Sequence, residues 1–186
     1  MRDRNSSPAL PSPWVVRFAS TMGRGASALD VACGGGRHAR WLLSRGFAVT
    51  AVDRDFGPVR DLVGEAGLTL IESDLERGDP MPWRQQTFDL VVVTNYLWRP
   101  ILPAIVSAVS PHGMLIYETF AAGNAALGRP SNPAFLLQPG ELLEAVAGSL
   151  TPVAFEHVRL SSPERVVQRV CAIASAHPWI EQGAPV

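Results

Sequence analysis

Apolar residues along this chain fall into two rhythms. Five short stretches are nearly continuous and rich in β-branched side chains: SALDVAC (27–33), FAVTAVD (47–53), LTLIESD (68–74), FDLVVVTN (88–95) and GMLIYETF (113–120). Runs of this kind predict parallel strands covered on both faces. Between them the apolar positions move to helical spacing. Ala39, Leu42 and Leu43 share one side of a helix expected over 36–45 and closed by Gly46, and Val59, Leu62, Val63 and Ala66 predict a second helix ending at Gly67. Ile101, Leu102, Ile105, Val106 and Val109 predict a third that stops before Pro111, and a fourth is expected around PGELLEAVAGSL (139–150). A short helix beginning near Pro13 precedes them all.

Strands alternating with helices in this way define an α/β fold with a doubly wound, mostly parallel sheet. The end of the chain departs from that scheme. PVAFEHVRL (152–160) and RVVQRVCAIAS (165–175) are joined only by SSPE, too few residues for a parallel crossover. They are therefore expected to pair as a C-terminal antiparallel hairpin on the sheet's edge, which brings the sheet to seven strands. Residues 1–12 are polar and proline-rich and are expected to form a mobile tail, leaving 13–186 as a single domain.

Composition acts mainly by exclusion. A formal net charge of −1 gives no reason to expect binding to nucleic acid or to an anionic membrane. All 16 basic residues are arginine, which suits bidentate anion recognition and equally fits a bias in nucleotide composition. Cys33 and Cys171 make no disulfide framework, and no Cys/His cluster has the spacing of a zinc site, so no metal is expected. The opening residues lack the apolar core of a signal peptide and no stretch is long enough to span a bilayer, so a soluble, cytoplasmic protein is expected.

The candidate chemistry gathers around ALDVACGGGRHARWL (28–42). Asp30 stands at a strand end, Gly34, Gly35 and Gly36 follow, and a helix begins at once. Three consecutive glycines mean that the main chain turns tightly or that something approaches it closely. In a doubly wound sheet this is the carboxyl edge, where ligands sit near the point at which strand order reverses. Residues Gly34 to Ala39 satisfy the dinucleotide pattern G-x-G-x-x-G/A, and Asp53 stands about twenty residues further on, where it suits a ribose hydroxyl. One reading is therefore an NAD-dependent oxidoreductase. Another uses more positions: the Asp30 carboxylate opposes a pyrophosphate but suits an ammonium group, while Asp74 ends the third strand, where it suits an adenine amino group with the Leu75 backbone beside the ring. Carboxylates at three successive strand ends fit an amino acid, a ribose and an adenine, the parts of S-adenosylmethionine.

LDVACGGGRHA, VTAVDRD, IESDLERG, FDLVVVTNYL and GMLIYETF together resemble the ordered motifs of class I S-adenosylmethionine-dependent methyltransferases, from about Leu29 to Phe120. The terminal hairpin is similar to the antiparallel pair of that family, and CGGGR is similar to the corresponding segment of small bacterial enzymes of the tellurite-resistance type. The resemblance implies a Rossmann-like fold, S-adenosylmethionine as cofactor, and direct displacement of its methyl group. It further implies that Asp30 meets the methionyl ammonium, that Gly34 and Gly36 let the backbone approach, and that Asp53, with Arg54 beside it, holds the ribose hydroxyls. Asp74 and Leu75 would take the adenine, and Thr94 and Asn95 would lie beside the sulfonium and methyl group. Cys33 departs from the pattern and reads as packing rather than as a redox group.

On the acceptor side, Tyr96 and Trp98 follow the fourth strand, while Tyr117 and Glu118 end the fifth. Tyr96 or Glu118 is the candidate general base if the acceptor must be deprotonated, with ordinary packing as the alternative for the aromatic residues. A carboxylate on an apolar strand needs a partner or water, and Glu118 is such a group. The segment 121–138 is longer than most connections and reads as a lid. Arg129 within it and Arg99 before it are candidates for binding an anionic substrate, or else surface or anchoring groups. His38 either approaches the cofactor or packs; His112, His157 and His177 read as structural. The chain length leaves no separate domain for recognising a macromolecule, so a small-molecule acceptor is expected. A non-catalytic S-adenosylmethionine-binding protein is a further reading, and oligomeric state is left open.

Overall fold

The computed structural model describes residues 10–185, so most of the tail expected over 1–12 lies outside the described residues. Ser12, at its end, is 4 % exposed, and its hydroxyl accepts from the Trp14 N–H (3.2 Å), capping helix α1 (Pro13–Ala19).

The strands are β1 (Ser27–Val31), β2 (Ala48–Asp53), β3 (Leu68–Glu72), β4 (Phe88–Thr94), β5 (Val109–Phe120), β6 (Thr151–Ser161) and β7 (Glu164–Ile173). They form one seven-stranded sheet in the order β3-β2-β1-β4-β5-β7-β6. Strands β1 to β5 are mutually parallel, and β7 pairs antiparallel with both β5 and β6. The hairpin expected at the edge thus adds its second strand to the sheet first, and β6 becomes the border. Strand order reverses between β1 and β4, and the crevice at their carboxyl ends is where this architecture receives ligands.

Two cores cover the two faces. On one, Trp14 and Phe18 of α1 join Ala39 and Leu42 of α2 (Arg37–Ser44) against Leu90, Val92 and Ile116. On the other, Ile105 of α3 (Leu102–Ser107) and Leu142 and Val146 of α4 (Glu141–Val146) pack on Val91, Val93 and Leu115. Strand β4 serves both: Leu90, Val91, Val92 and Val93 are all 0 % exposed. Burial of each such side chain contributes about 1.5–3 kcal/mol, which is why this run carries no polar alternation.

Two expected helices differ. The stretch with Val59, Leu62, Val63 and Ala66 forms a 3₁₀ segment over Gly57–Leu62; Val59 and Leu62 are buried, but Val63 is 68 % exposed. Gly57 and Pro58 open the segment, Val59 kinks it at φ −118°, and it ends at the extended Val63, with Gly64 at φ +85° following. The third helix ends at Ser107 rather than Val109, because β5 already begins at Val109 and carries Pro111 and Gly113 past a register shift opposite Phe88 and Leu90. A short helix α5 (Trp179–Gln182), not signalled by the apolar pattern, follows β7.

Candidate active site

A cavity of about 300 Å³ opens at the carboxyl ends of β1 to β4, lined by Ala32, Asp53, Arg54, Ser73, Asp74, Leu75, Glu76, Asn95 and Tyr96. Five of the expected site residues, Asp53, Arg54, Asp74, Leu75 and Asn95, meet here, together with the proposed base Tyr96. Ser73 and Glu76 were not singled out from sequence; their position just past the end of β3 was the available signal. The Asp53 carboxylate accepts from the Gly34 N–H (2.8 Å) and the Asp55 N–H (3.2 Å), and Asp74 accepts from the Glu76 N–H (3.1 Å). A carboxylate has about four lone-pair sites, so both groups keep acceptors for a ligand.

The glycine loop has two different causes. At Gly34 and Gly35 an added Cβ would meet nothing within 4 Å, so their main chain borders open space, and Gly34 has φ +56°. At Gly36, φ +71°, the same Cβ would fall 2.7 Å from Val59 Cγ1 and 3.3 Å from Leu62 Cδ1. Gly36 is therefore excluded from carrying a side chain by the 3₁₀ segment beneath it and serves as the left-handed cap of α2. Ala32 also holds a left-handed backbone, φ +53°. Such a conformation costs an alanine about 1 kcal/mol or more, so Ala32→Gly is expected to stabilise the protein by up to about 1 kcal/mol in urea titration, after the entropy the glycine adds to the unfolded chain; a destabilised variant would refute the strain.

Asp30 does not line the cavity. It is 1 % exposed, and its Oδ2 accepts from the Ala39 N–H (3.0 Å) in the first turn of α2. Burial drives its pKa from the ordinary 3.8 up to about 7, against the lowering effects of that hydrogen bond and of Arg37. The Asp30 carboxylate, expected from sequence to meet an ammonium group, thus caps the first turn of α2.

Glu118 is likewise no open base. It is 1 % exposed; Oε1 accepts from the Ser12 hydroxyl (3.1 Å), Arg169 Nη1 lies 3.4 Å from Oε2, and Arg165 Nη2 lies 3.7 Å from Oε1. Arg169 stands directly opposite Glu118 across β5 and β7 and opposite Glu156 across β7 and β6, so one row of the sheet alternates acid, base, acid. Beside this row, Thr94 Oγ1 accepts from Arg37 Nη2 (3.3 Å) and lies 3.4 Å from His38 Nδ1. His38 Nε2 accepts from the Ser12 N–H (3.1 Å), which assigns the ring proton to Nδ1. Burial holds the pKa of His38 down at about 3, so it is a neutral packed histidine. Thr94 is thus turned toward α2, away from the cavity that Asn95 enters.

The remaining candidates separate cleanly. The Tyr117 hydroxyl donates to the Tyr96 carbonyl (2.9 Å), and Trp98 packs on the core. Burial raises the pKa of the Tyr96 hydroxyl, helped by Glu76, Asp74 and Asp53, which favours the phenol form; the hydroxyl is also buried without a partner. Cys33 is packed, and burial pushes its thiol up to about 12. Arg99 is an anchor: it bonds both oxygens of Glu141 (2.6 and 2.9 Å) and the carbonyls of Ala134 and Leu136. The segment 121–138 is held at further points by Asn124, which bonds Pro130 O and Val166 N, and by a bridge between Ala121 and Leu137. Arg129 lies exposed on this segment. Under it is a second cavity of about 260 Å³, lined by Glu76, Asn95, Tyr96, Leu97, Thr119, Phe120, Pro130 and Phe135. It shares Glu76, Asn95 and Tyr96 with the first.

The family model described as Methyltransferase domain matches residues 29–115. No curated protein sequence matches the chain significantly. Among solved structures, an S-adenosylmethionine-dependent methyltransferase from Mesorhizobium loti is 18 % identical with a TM-score of 0.63, over 81 % of this chain and 91 % of that one. A 1,6-didemethyltoxoflavin-N1-methyltransferase from Burkholderia thailandensis, solved with 1,6-didemethyltoxoflavin and S-adenosylhomocysteine, is 22 % identical with a TM-score of 0.62, over 87 % and 76 % of the two chains. A TehB-like methyltransferase from Corynebacterium glutamicum is 21 % identical with a TM-score of 0.60, over 84 % of each. Among the described residues no helix is long and apolar enough to cross a membrane. A methyltransferase sequence signature across β1 to β5 is thus carried on the seven-stranded order of the class I S-adenosylmethionine-dependent methyltransferases, the family that this chain resembles in both sequence signature and fold.

Proposed function

We propose that the chain transfers a methyl group from S-adenosylmethionine to a small-molecule acceptor by direct displacement, in the cytoplasm. The residues fit the cofactor: Asp53 and Asp74 offer acceptors at the ends of β2 and β3, Leu75 supplies an apolar wall, and Gly34 and Gly35 leave space over the loop. Three carboxylates, those of Asp53, Asp74 and Glu76, against the single Arg54 suit a positively charged nucleoside. When bound, S-adenosylmethionine supplies a methyl group already activated by its sulfonium. The protein's part is alignment and exclusion of water, and alignment can supply about 7–11 kcal/mol of the barrier.

The observation that carries the small-molecule reading is the second cavity. It adjoins the first through Asn95 and Tyr96, is roofed by the anchored segment 121–138, and is smaller than the roughly 300–1,000 Å³ of typical drug-sized pockets. A dinucleotide is disfavoured for a separate reason. Its diphosphate needs the N–H groups at the start of the helix after β1, and there the Asp30 carboxylate already accepts from Ala39.

Calorimetric titration is expected to show binding of S-adenosylhomocysteine and none of NAD. Methyl-labelled S-adenosylmethionine is expected to label low-molecular-weight products in a metabolite extract. Binding of NAD alone, or label appearing only on added protein or RNA, would overturn the reading.

A further inference from the structure

The second cavity has a definite chemical character. Phe120, Pro130 and Phe135 give it flat apolar walls, and among the described residues that line it Glu76 is the one charged side chain. Phe135 is 42 % exposed, an expensive position for a large aromatic ring unless something covers it. No cation balances Glu76 inside the cavity. Arg99 is consumed by Glu141 and two carbonyls, and Arg129 is exposed on the segment without lining it. The adjoining cleft adds Asp53 and Asp74 against the single Arg54, so its net negative charge also disfavours an anionic acceptor. Of the two candidate bases read from sequence, Tyr96 lines this cavity, whereas Glu118 does not and is held by Ser12 and two arginines.

Resting on the methyltransferase reading and deepening it, we propose that this cavity takes a planar aromatic nitrogen compound, methylated on nitrogen, with its rings against Phe120 and Phe135 and its N–H facing Glu76. The lone pair of an unprotonated ring nitrogen, conjugated to the N–H that faces Glu76, forms the new bond to the methyl carbon as the carbon–sulfur bond breaks and its electron pair stays on sulfur. Positive charge thereby moves from sulfur to nitrogen, and the N–H proton leaves to the Glu76 carboxylate and on to water. A thiolate or a carboxylate acceptor would gain nothing from Glu76.

The test uses the full chain saturated with S-adenosylhomocysteine and three probes: benzimidazole, 2-naphthoate and cyclohexylamine, with affinities read by ligand-observed NMR. Benzimidazole is expected to bind about tenfold more tightly than either of the others, since loss of charge complementarity or of stacking is each worth about 1.4 kcal/mol. Phe135→Ala is expected to weaken benzimidazole about tenfold while S-adenosylhomocysteine affinity stays unchanged. Glu76→Gln is expected to erase the preference for benzimidazole over 2-naphthoate. Equal or tighter binding of 2-naphthoate, retention of the preference in Glu76→Gln, or no binding by any aromatic probe would each overturn the proposal. Failure of the underlying methyltransferase reading is distinct, since S-adenosylhomocysteine itself would then not bind.

Discussion

Replacing Asp53 with alanine is expected to weaken S-adenosylhomocysteine binding about 100-fold, because a hydrogen bond to a charged group contributes about 1.5–3 kcal/mol and this carboxylate is the acceptor we propose for both ribose hydroxyls. The same carboxylate ties down the glycine loop through the Gly34 N–H, so alanine removes two functions at once. Asp53→Asn separates them. Its amide oxygen still accepts from Gly34, while the charge that strengthens the ribose contacts is gone, and a loss of about tenfold is expected. Calorimetry on both variants, with urea titration to confirm the fold, is the measurement. Unchanged affinity in Asp53→Ala would remove the ribose role.

The second large effect concerns stability. Asp30→Asn is expected to stabilise the fold at pH 8 by an amount on the order of 3 kcal/mol, since the buried carboxylate is ionised there at a cost that an amide does not incur. The folded pKa of Asp30 is raised, so its favourable contribution is fully present below 3.8 and lost as pH rises through about 7. His38 runs the other way: its folded pKa is depressed from 6.5 to about 3, so its contribution is present above 6.5 and lost as pH falls toward 3. In the natural sequence the two terms oppose one another and flatten stability between about pH 4 and 6.5. Asp30→Asn leaves His38 unopposed. Urea midpoints for this variant are therefore expected to fall steeply as pH is lowered from about 6.5 to 4, and a flat profile would show that the burial effect on His38 is not as described.

Much of the fold was legible because its strands are buried on both faces. FDLVVVT could only be a central strand, and four consecutive residues at 0 % exposure show why no polar residue interrupts it. The four-residue link SSPE forced the antiparallel pair, though not the insertion of β7 beside β5, which depends on pairing across about fifty residues. Val63 keeps helical spacing from Val59 in the sequence, but the backbone kinks at Val59 and is extended at Val63, so its side chain faces solvent. That Asp53, Asp74, Leu75 and Asn95 gather at one cavity was legible since strand ends fix where side chains go. Glu118 showed only that it needed a partner; Ser12, 106 residues away, and two arginines of β7 left no local sign. The burial of Asp30 was hidden for the same reason, being set by how closely α2 lies over β1.

The fastening of Ser12 and Trp14 to the far end of the chain also orders events during synthesis. The Ser12 hydroxyl needs Glu118, and the Trp14 indole N–H donates to the carbonyl of Val170, on the last of the seven strands to leave the ribosome. At about 5–20 residues per second, the parallel half bearing the nucleoside cleft has several seconds to assemble before α1 can be latched across the sheet. The first helix made is thus among the last to find its place.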